Sequence, residues 1–331
     1  MPDTPLSDRR KRLAAEILLV GVTAVWGWTF VMVKDAVALL PPLPFLAIRF
    51  GVATIVMGLG TWAMRARRSG RRGSAARAAA GVHGFRASVA AGRGLRDSVA
   101  AGLLMGTFLG LGYIFQTFGL QRTTASNAGF ITGTFVVLVP VLQGLVWRIW
   151  PDLRAVLGVG LAAVGLFLLS GGSTELHLLG DGLVLLCAIS FSAHILATSR
   201  YARRHDAAIL TVVQLAVVTA LCGVLALGAW ALGEPLSLEA VWEPSVLVAL
   251  GVTALFASAA AFYIQTFAQK HASSTRTAVI LTMEPVFAGL FGYALAGERL
   301  SLAGWAGAAA ILCGMLVSEL RMEWPRRRSR E

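Results

Sequence analysis

Charge is scarce in this chain. Asp, Glu, Lys and Arg make up only 14% of its 331 residues, against roughly 25% in a soluble domain. Too few polar side chains are present to wet the surface of a soluble fold of this length. An ordinary cytosolic enzyme and a disordered chain are both excluded. Cysteine is scarce as well. Cys187, Cys222 and Cys313 each lie in an apolar run and show no paired spacing, so neither a disulfide framework nor a metal site is expected. No P-loop, nucleophile elbow or metalloprotease helix occurs, and the missing P-loop argues against ATP-driven transport within this chain. Gly158-Val159-Gly160 with Ala163 fits a dinucleotide fingerprint in form only, because it lies in an apolar run with no strand before it. No cofactor is expected.

What the chain has in abundance is apolar residues, 56% of the total. Apolar runs fall at about 15–34, 43–64, 98–120, 125–147, 153–172, 180–200, 207–232, 245–268, 274–296 and 301–320. Each is about long enough to cross the hydrocarbon core as a helix. The expectation is an all-α polytopic membrane protein with ten transmembrane helices. Ala36-Val37-Ala38 resembles a signal cleavage site, but the first run carries Trp26 and Trp28 and exceeds the roughly 7–15 residues of a signal core. It reads as an uncleaved first span.

The net charge of +12 comes from 26 Arg and 3 Lys that lie almost wholly between or outside the apolar runs. With the N-terminus in the cytoplasm, 25 of these 29 residues fall on the cytoplasmic side. That asymmetry predicts a multi-pass protein of the cell membrane with both termini cytoplasmic, and no nucleic-acid partner. The presumed outer loops agree, with Glu175, Asp181, Glu234, Glu239 and Glu243 and no Lys or Arg across 173–181 and 233–244. The Arg-rich stretch 65–97 reads as a flexible cytoplasmic loop; a helix lying on anionic lipid is the alternative.

An internal repeat divides the chain. Tyr113-Ile114-Phe115-Gln116-Thr117-Phe118 parallels Phe262-Tyr263-Ile264-Gln265-Thr266-Phe267 at an offset of 149. Thr124-Ala125-Ser126 with Pro140 parallels His271-Ala272-Ser273 with Pro285, and Trp26 and Arg49 meet Phe191 and Gln214 at an offset of 165. Five spans per half make the second half enter the membrane inverted, with a site expected at the midplane between the halves. The predicted units are a tail 1–14, a first repeat 15–172 containing the 65–97 loop, a second repeat 173–320, and a basic tail 321–331.

At this point the chain resembles a known family. Trp26-Gly27-Trp28-Thr29-Phe30 with Pro41-Pro42 and Arg49-Phe50 is similar to the opening of EamA-type transporters of the drug/metabolite transporter superfamily. So are Thr124 to Phe130, Glu284-Pro285-Val286-Phe287 and Gly297-Glu298-Arg299-Leu300. The ordered set spans about residues 15–320. The resemblance implies two inverted five-helix EamA repeats, with helices 1–4 and 6–9 around a central cavity and helices 5 and 10 peripheral. It also implies substrates such as amino acids, other metabolites and drugs, often exported. The long Arg-rich 65–97 stretch departs from the family pattern.

Several residues are candidates for the site. Glu284, the carboxylate near the middle of a predicted span, sits beside Pro285. An acid in hydrocarbon faces a cavity or a partner, so it is either a substrate or proton site or a structural hydrogen bond at a proline kink. Arg49 is either a carboxylate-recognition group or a packed, salt-bridged arginine, the latter favoured. His194 is a proton relay or, more simply, a packed histidine. Gln116 and Gln265 occupy equivalent places and serve either a shared cavity or helix–helix contacts; Gln214 is the mate of Arg49. Trp26, Tyr113 and Tyr263 are candidate walls for a ligand, whereas Trp28 reads as packing. Gly102, Gly106 and Gly110 read as a close helix contact.

The leading expectation is a secondary transporter moving a small organic metabolite by alternating access, and not an enzyme. Export, proton coupling and a homodimer are compatible with it. An intramembrane enzyme and a structural membrane protein are the other classes weighed. The first lacks a cluster of acids or His with Asp inside the membrane, and the second gives no reason for paired amides in an inverted repeat.

Overall fold

The computed structural model describes residues 5–76, 83–123, 125–169, 177–236, 238–296 and 301–319. Glu175, Thr124, the Gly297-Glu298-Arg299-Leu300 motif and the basic tail lie outside them. The described residues are almost entirely helical: α1 Pro5–Leu39, α2 Pro42–Ala76, α3 His83–Leu120, α4 Ala125–Gly133, α5 Phe135–Trp147, α6 Leu153–Leu169, α7 Leu178–Tyr201 and α8 Ala207–Ala231. Then come α9 Pro244–Val252, a π-helical segment Thr253–Ala260, α10 Ala261–Ala268, α11 Ser274–Leu281, α12 Glu284–Ala296 and α13 Leu302–Glu319.

Local chemistry sets the ends. Pro41 cannot continue α1, and Pro42 opens α2, where its fixed φ and missing N–H cost nothing. The Asp206 carboxylate caps α8, accepting from the Ala208 and Ile209 amides at 2.8 and 3.3 Å, as an N-cap should. Among the described residues, six stretches are long and apolar enough to cross a membrane, and Leu13–Thr29, Leu153–Leu169 and Leu302–Ser318 are shorter apolar helices. Their outer faces carry exposed apolar groups such as Ile55, Leu59 and Trp62, the surface a lipid solvent requires. This is a multi-pass membrane protein.

Two expectations change. The 65–97 stretch is not a loop on either side of residues 77–82: α2 runs on to Ala76 and α3 starts at His83. Ala and Arg are strong helix formers, and helices already nucleated in the adjoining spans extend into this segment at little cost. The 274–296 run is not a single bent helix either. It breaks at Thr282 and Met283, and Glu284 is the first residue of α12. The 125–147 run breaks likewise at Thr134, between α4 and α5.

The packing repeats itself when the halves are exchanged. α3 packs on α7, and α1 packs on the rod made by α9, the π segment and α10. α4 and α5 pack on α7, while α11 and α12 pack on α1. Two helices meet their own counterparts, α2 with α8 and α6 with α13, and both pairs run antiparallel. Arg65 reaches Asp206 at one end of the first pair, and Thr54 meets Thr219 further along it. In the second pair Gly158 lies against Gly314, and Gly165 against Gly307. Glycines allow this approach: a Cβ at Gly158 would sit 2.7 Å from the Gly314 carbonyl oxygen. Gly102, Gly106 and Gly110 bring α3 onto α8 in the same way.

Candidate functional site

A cavity of about 730 Å³ lies between the halves. Its walls come from α1, α2, α3, α4, α5, α6, α7, α10, α11 and α12. Trp26, Arg49, Tyr113, Gln116, His194, Gln265 and Glu284 all line it. It reaches Val37 and Pro42 at the α1–α2 turn, Gln121 after α3 and Leu169 at the end of α6. Away from that end an apolar cluster that includes Leu19, Val139 and Val279 adjoins the cavity through Ile195. Beyond that cluster Ser274 donates to Gln143, and Arg276 pairs with Glu16 at 3.6 Å.

Arg49 is 4% exposed and is held on several sides. Its Nε donates to the Ser258 hydroxyl at 2.8 Å and a terminal nitrogen donates to the Ala257 carbonyl at 3.5 Å. The guanidinium carbon sits 5.2 Å from the Phe50 ring centre and 5.6 Å from that of Tyr113, within cation–π range. The Trp26 indole N–H donates to the same Ala257 carbonyl at 2.8 Å. Both acceptors belong to the π segment. A π-helix carries i→i+5 bonds and is rare beyond a single turn. No run of residues signals it in the sequence, so Ser258 was not an expected member of the site.

Aromatic rings build the remaining wall. Trp26 lies 5.5 Å from Phe262, and Tyr113 lies 5.5 Å from Phe191 and 5.0 Å from Phe50. Trp26 and Phe191, mates in the repeat, both face the cavity, as do Gln116 and Gln265. The Gln116 amide donates to Thr132 at 3.4 Å. Gln265 is 2% exposed and its carbonyl oxygen has no protein partner among the described residues, an acceptor open to a ligand. Glu284 faces the cavity from the first turn of α12, where the helix dipole favours a carboxylate. Arg49 and Glu284 share the cavity and act on each other by charge, without a close salt bridge among the described residues.

Two expected members do not line the cavity. Gln214 is fully buried behind His194: its carbonyl meets the His194 Nε2 at 2.8 Å and its amide donates to Thr266 at 3.2 Å. Both ends of the side chain are spent inside the protein. Tyr263 follows Phe262 on α10 and turns to another face, because successive helical residues point about 100° apart; Phe262 and Gln265, three apart, share the cavity face. α6, expected to be peripheral, contributes Leu166 and Leu169 to the wall.

Comparison with known proteins agrees with this architecture. An uncharacterized transporter of Archaeoglobus fulgidus is 34% identical over 314 residues, covering 94% of this chain and 88% of that one. A second uncharacterized transporter of the same organism is 27% identical over 192 residues, or 56% of this chain and 64% of that one. A crystal structure of a protein at 18% identity superposes with a TM-score of 0.72, over 93% of this chain and 98% of the other; that is a likeness of fold. The profile of the EamA-like transporter family matches twice, at residues 13–171 and 178–320. Two matches, the paired packing of the halves and the cavity between them lead to one assignment: the chain belongs to the EamA-like transporter family.

Proposed function

We propose that the chain is a ten-span secondary transporter of two inverted repeats, 15–172 and 173–320. It moves a small organic, amino-acid-like metabolite through the central cavity by alternating access. The observation that carries this reading is the cavity between the halves, with Arg49 and Glu284 both on its wall and no ion pair between them. Opposite charges held apart on the wall of a low-dielectric chamber, coupled only at a distance, are costly unless solvent or a substrate meets them. The aromatic walls suit an apolar body, and Gln116 and Gln265 suit its polar edge.

Both termini belong in the cytoplasm on the basic-residue asymmetry. With that orientation the cavity faces outward, and the Leu19–Val279 cluster with its Gln143–Ser274 and Glu16–Arg276 contacts forms the inner closure. Export is the favoured direction, and Glu284 is the group through which proton coupling would run. The purified chain is screened for thermal stabilisation by a metabolite panel, and stabilising compounds are then followed into proteoliposomes. Uptake or release that saturates and needs the protein supports the reading. Stabilising ligands with no flux in either orientation would remove it.

A further inference from the structure

The wall of the cavity contains a cation, Arg49, that makes no close salt bridge among the described residues and meets Glu284 only through the field across the chamber. Arg49 carries five N–H donors and keeps its charge. Two of those donors go to the Ser258 hydroxyl and the Ala257 carbonyl, both neutral acceptors. Phe50 and Tyr113 offer ring faces, and Glu284 acts on it by charge without a close salt bridge. Neutral acceptors orient a guanidinium, but they do not balance its charge. A buried charge whose counter-charge is held at a distance is unfavourable in a low dielectric, and an anion docked directly on it relieves that cost.

We propose that the π-helical segment Thr253–Ala260 holds Arg49 as an anion-binding group, and that the transported compound carries a carboxylate or comparable anion that docks on it. This rests on the cavity being the transport site. The geometry favours it in two ways. Nε is used on Ser258, a fully buried residue, and this fixes the plane of the guanidinium, so the donors left over face the cavity as a preset fork. Such a fork matches a carboxylate bidentately, which an ammonium on a flexible stem cannot do. The Ala257 carbonyl takes both the Trp26 indole and Arg49, so α1, α2 and the π segment are tied at one oxygen. Ser258 is therefore a positioning residue, and Arg49 the group that touches substrate.

Simple probes suffice for the test. Full-length purified protein is titrated calorimetrically with three compounds that share a phenyl body suited to the aromatic walls: phenylpropionate, phenylalanine and phenylethylamine. Wild type should bind the two carboxylates and not the amine. Ser258→Ala should weaken both carboxylates about tenfold, and Ser258→Thr, which restores the hydroxyl, should recover them. Arg49→Lys keeps the charge and loses the fork, and should weaken them as well. Unliganded melting temperatures accompany each variant, so that a folding defect is read apart from a binding defect. Three results overturn the proposal: no carboxylate binding by wild type, an amine bound as tightly as the carboxylates, or Ser258→Ala binding like wild type. Proteoliposome flux of the same probes separates the two ideas. Carboxylate-selective binding without flux keeps the anion site and removes the transport reading, whereas flux without carboxylate preference does the opposite.

Discussion

Thr54 on α2 and Thr219 on α8 meet hydroxyl to hydroxyl at 3.4 Å, and they stand 165 residues apart. That separation is the offset at which Trp26 aligns with Phe191 and Arg49 with Gln214. Each hydroxyl also makes the same bond within its own helix, Thr54 to the Phe50 carbonyl at 2.7 Å and Thr219 to the Leu215 carbonyl at 2.9 Å. A residue that touches its own repeat mate lies on the axis relating the halves. One cysteine pair tests this. Thr54→Cys with Thr219→Cys, in a background where Cys187, Cys222 and Cys313 are replaced by alanine, should oxidise to an intramolecular disulfide. Two thiols that stay reactive to maleimide under oxidant would contradict the arrangement.

Two glycines on α6 separate packing from propensity. A Cβ at Gly158 meets the Gly314 carbonyl oxygen at 2.7 Å, whereas a Cβ at Gly160 meets nothing within 4 Å. Gly158→Ala should destabilise by about 1–3 kcal/mol through overpacking against α13. Gly160→Ala should be neutral or stabilise by about 0.5–1 kcal/mol, because alanine loses less backbone freedom. Thermal unfolding in one detergent compares them, and equal shifts would count against the α6–α13 contact.

Gln214 holds His194 on one side and Thr266 on the other. Gln214→Leu fills the space and leaves the imidazole nitrogen without its main partner. A loss of about 1–2 kcal/mol is expected from the unsatisfied group. A double-mutant cycle with His194→Phe checks it: coupling near zero would show the bond to be energetically idle.

Glu284→Gln conserves shape and removes the charge. Expression and melting temperature should stay near wild type while flux of any transported compound falls at least about tenfold, since the carboxylate faces the cavity. Flux at several external pH values is measured in the same preparation. Normal flux with an unchanged pH profile would remove Glu284 from the mechanism and leave the family assignment intact.

Orientation is tested by labelling. A single cysteine at Ser74, in the Arg-rich stretch, should react with an impermeant maleimide only after the membrane is opened, and one at Glu239 should react in intact cells. The reverse pattern would place both termini outside.

Several residues of the cavity wall were singled out before any geometry. Composition announced a membrane protein because a lipid solvent demands apolar surface and satisfied backbones, and both leave long apolar runs in the chain. The repeat register singled out Trp26, Gln116 and Gln265 as residues with a shared place, and all three face the cavity. Gln214 looked equally eligible by register. Its fate depended on His194, twenty residues earlier, and on Thr266, 52 residues later. Pair spacing along the chain carries no signal for such a contact.

The residue order sets where helices start, because proline and the Asp206 cap act over one turn. It sets the charged ends too, because arginine cannot rest in hydrocarbon. The wall on which each helical residue lands depends on how helices cross, and crossing depends on packing between residues far apart in the chain. The clearest case is Arg49. Its position next to Phe50 is local, but its acceptors lie more than 200 residues away on a π-helical turn that no local preference encodes. Close contact of α1 and α2 with that rod is what brings a buried cation, a hydroxyl and the Ala257 carbonyl to one point.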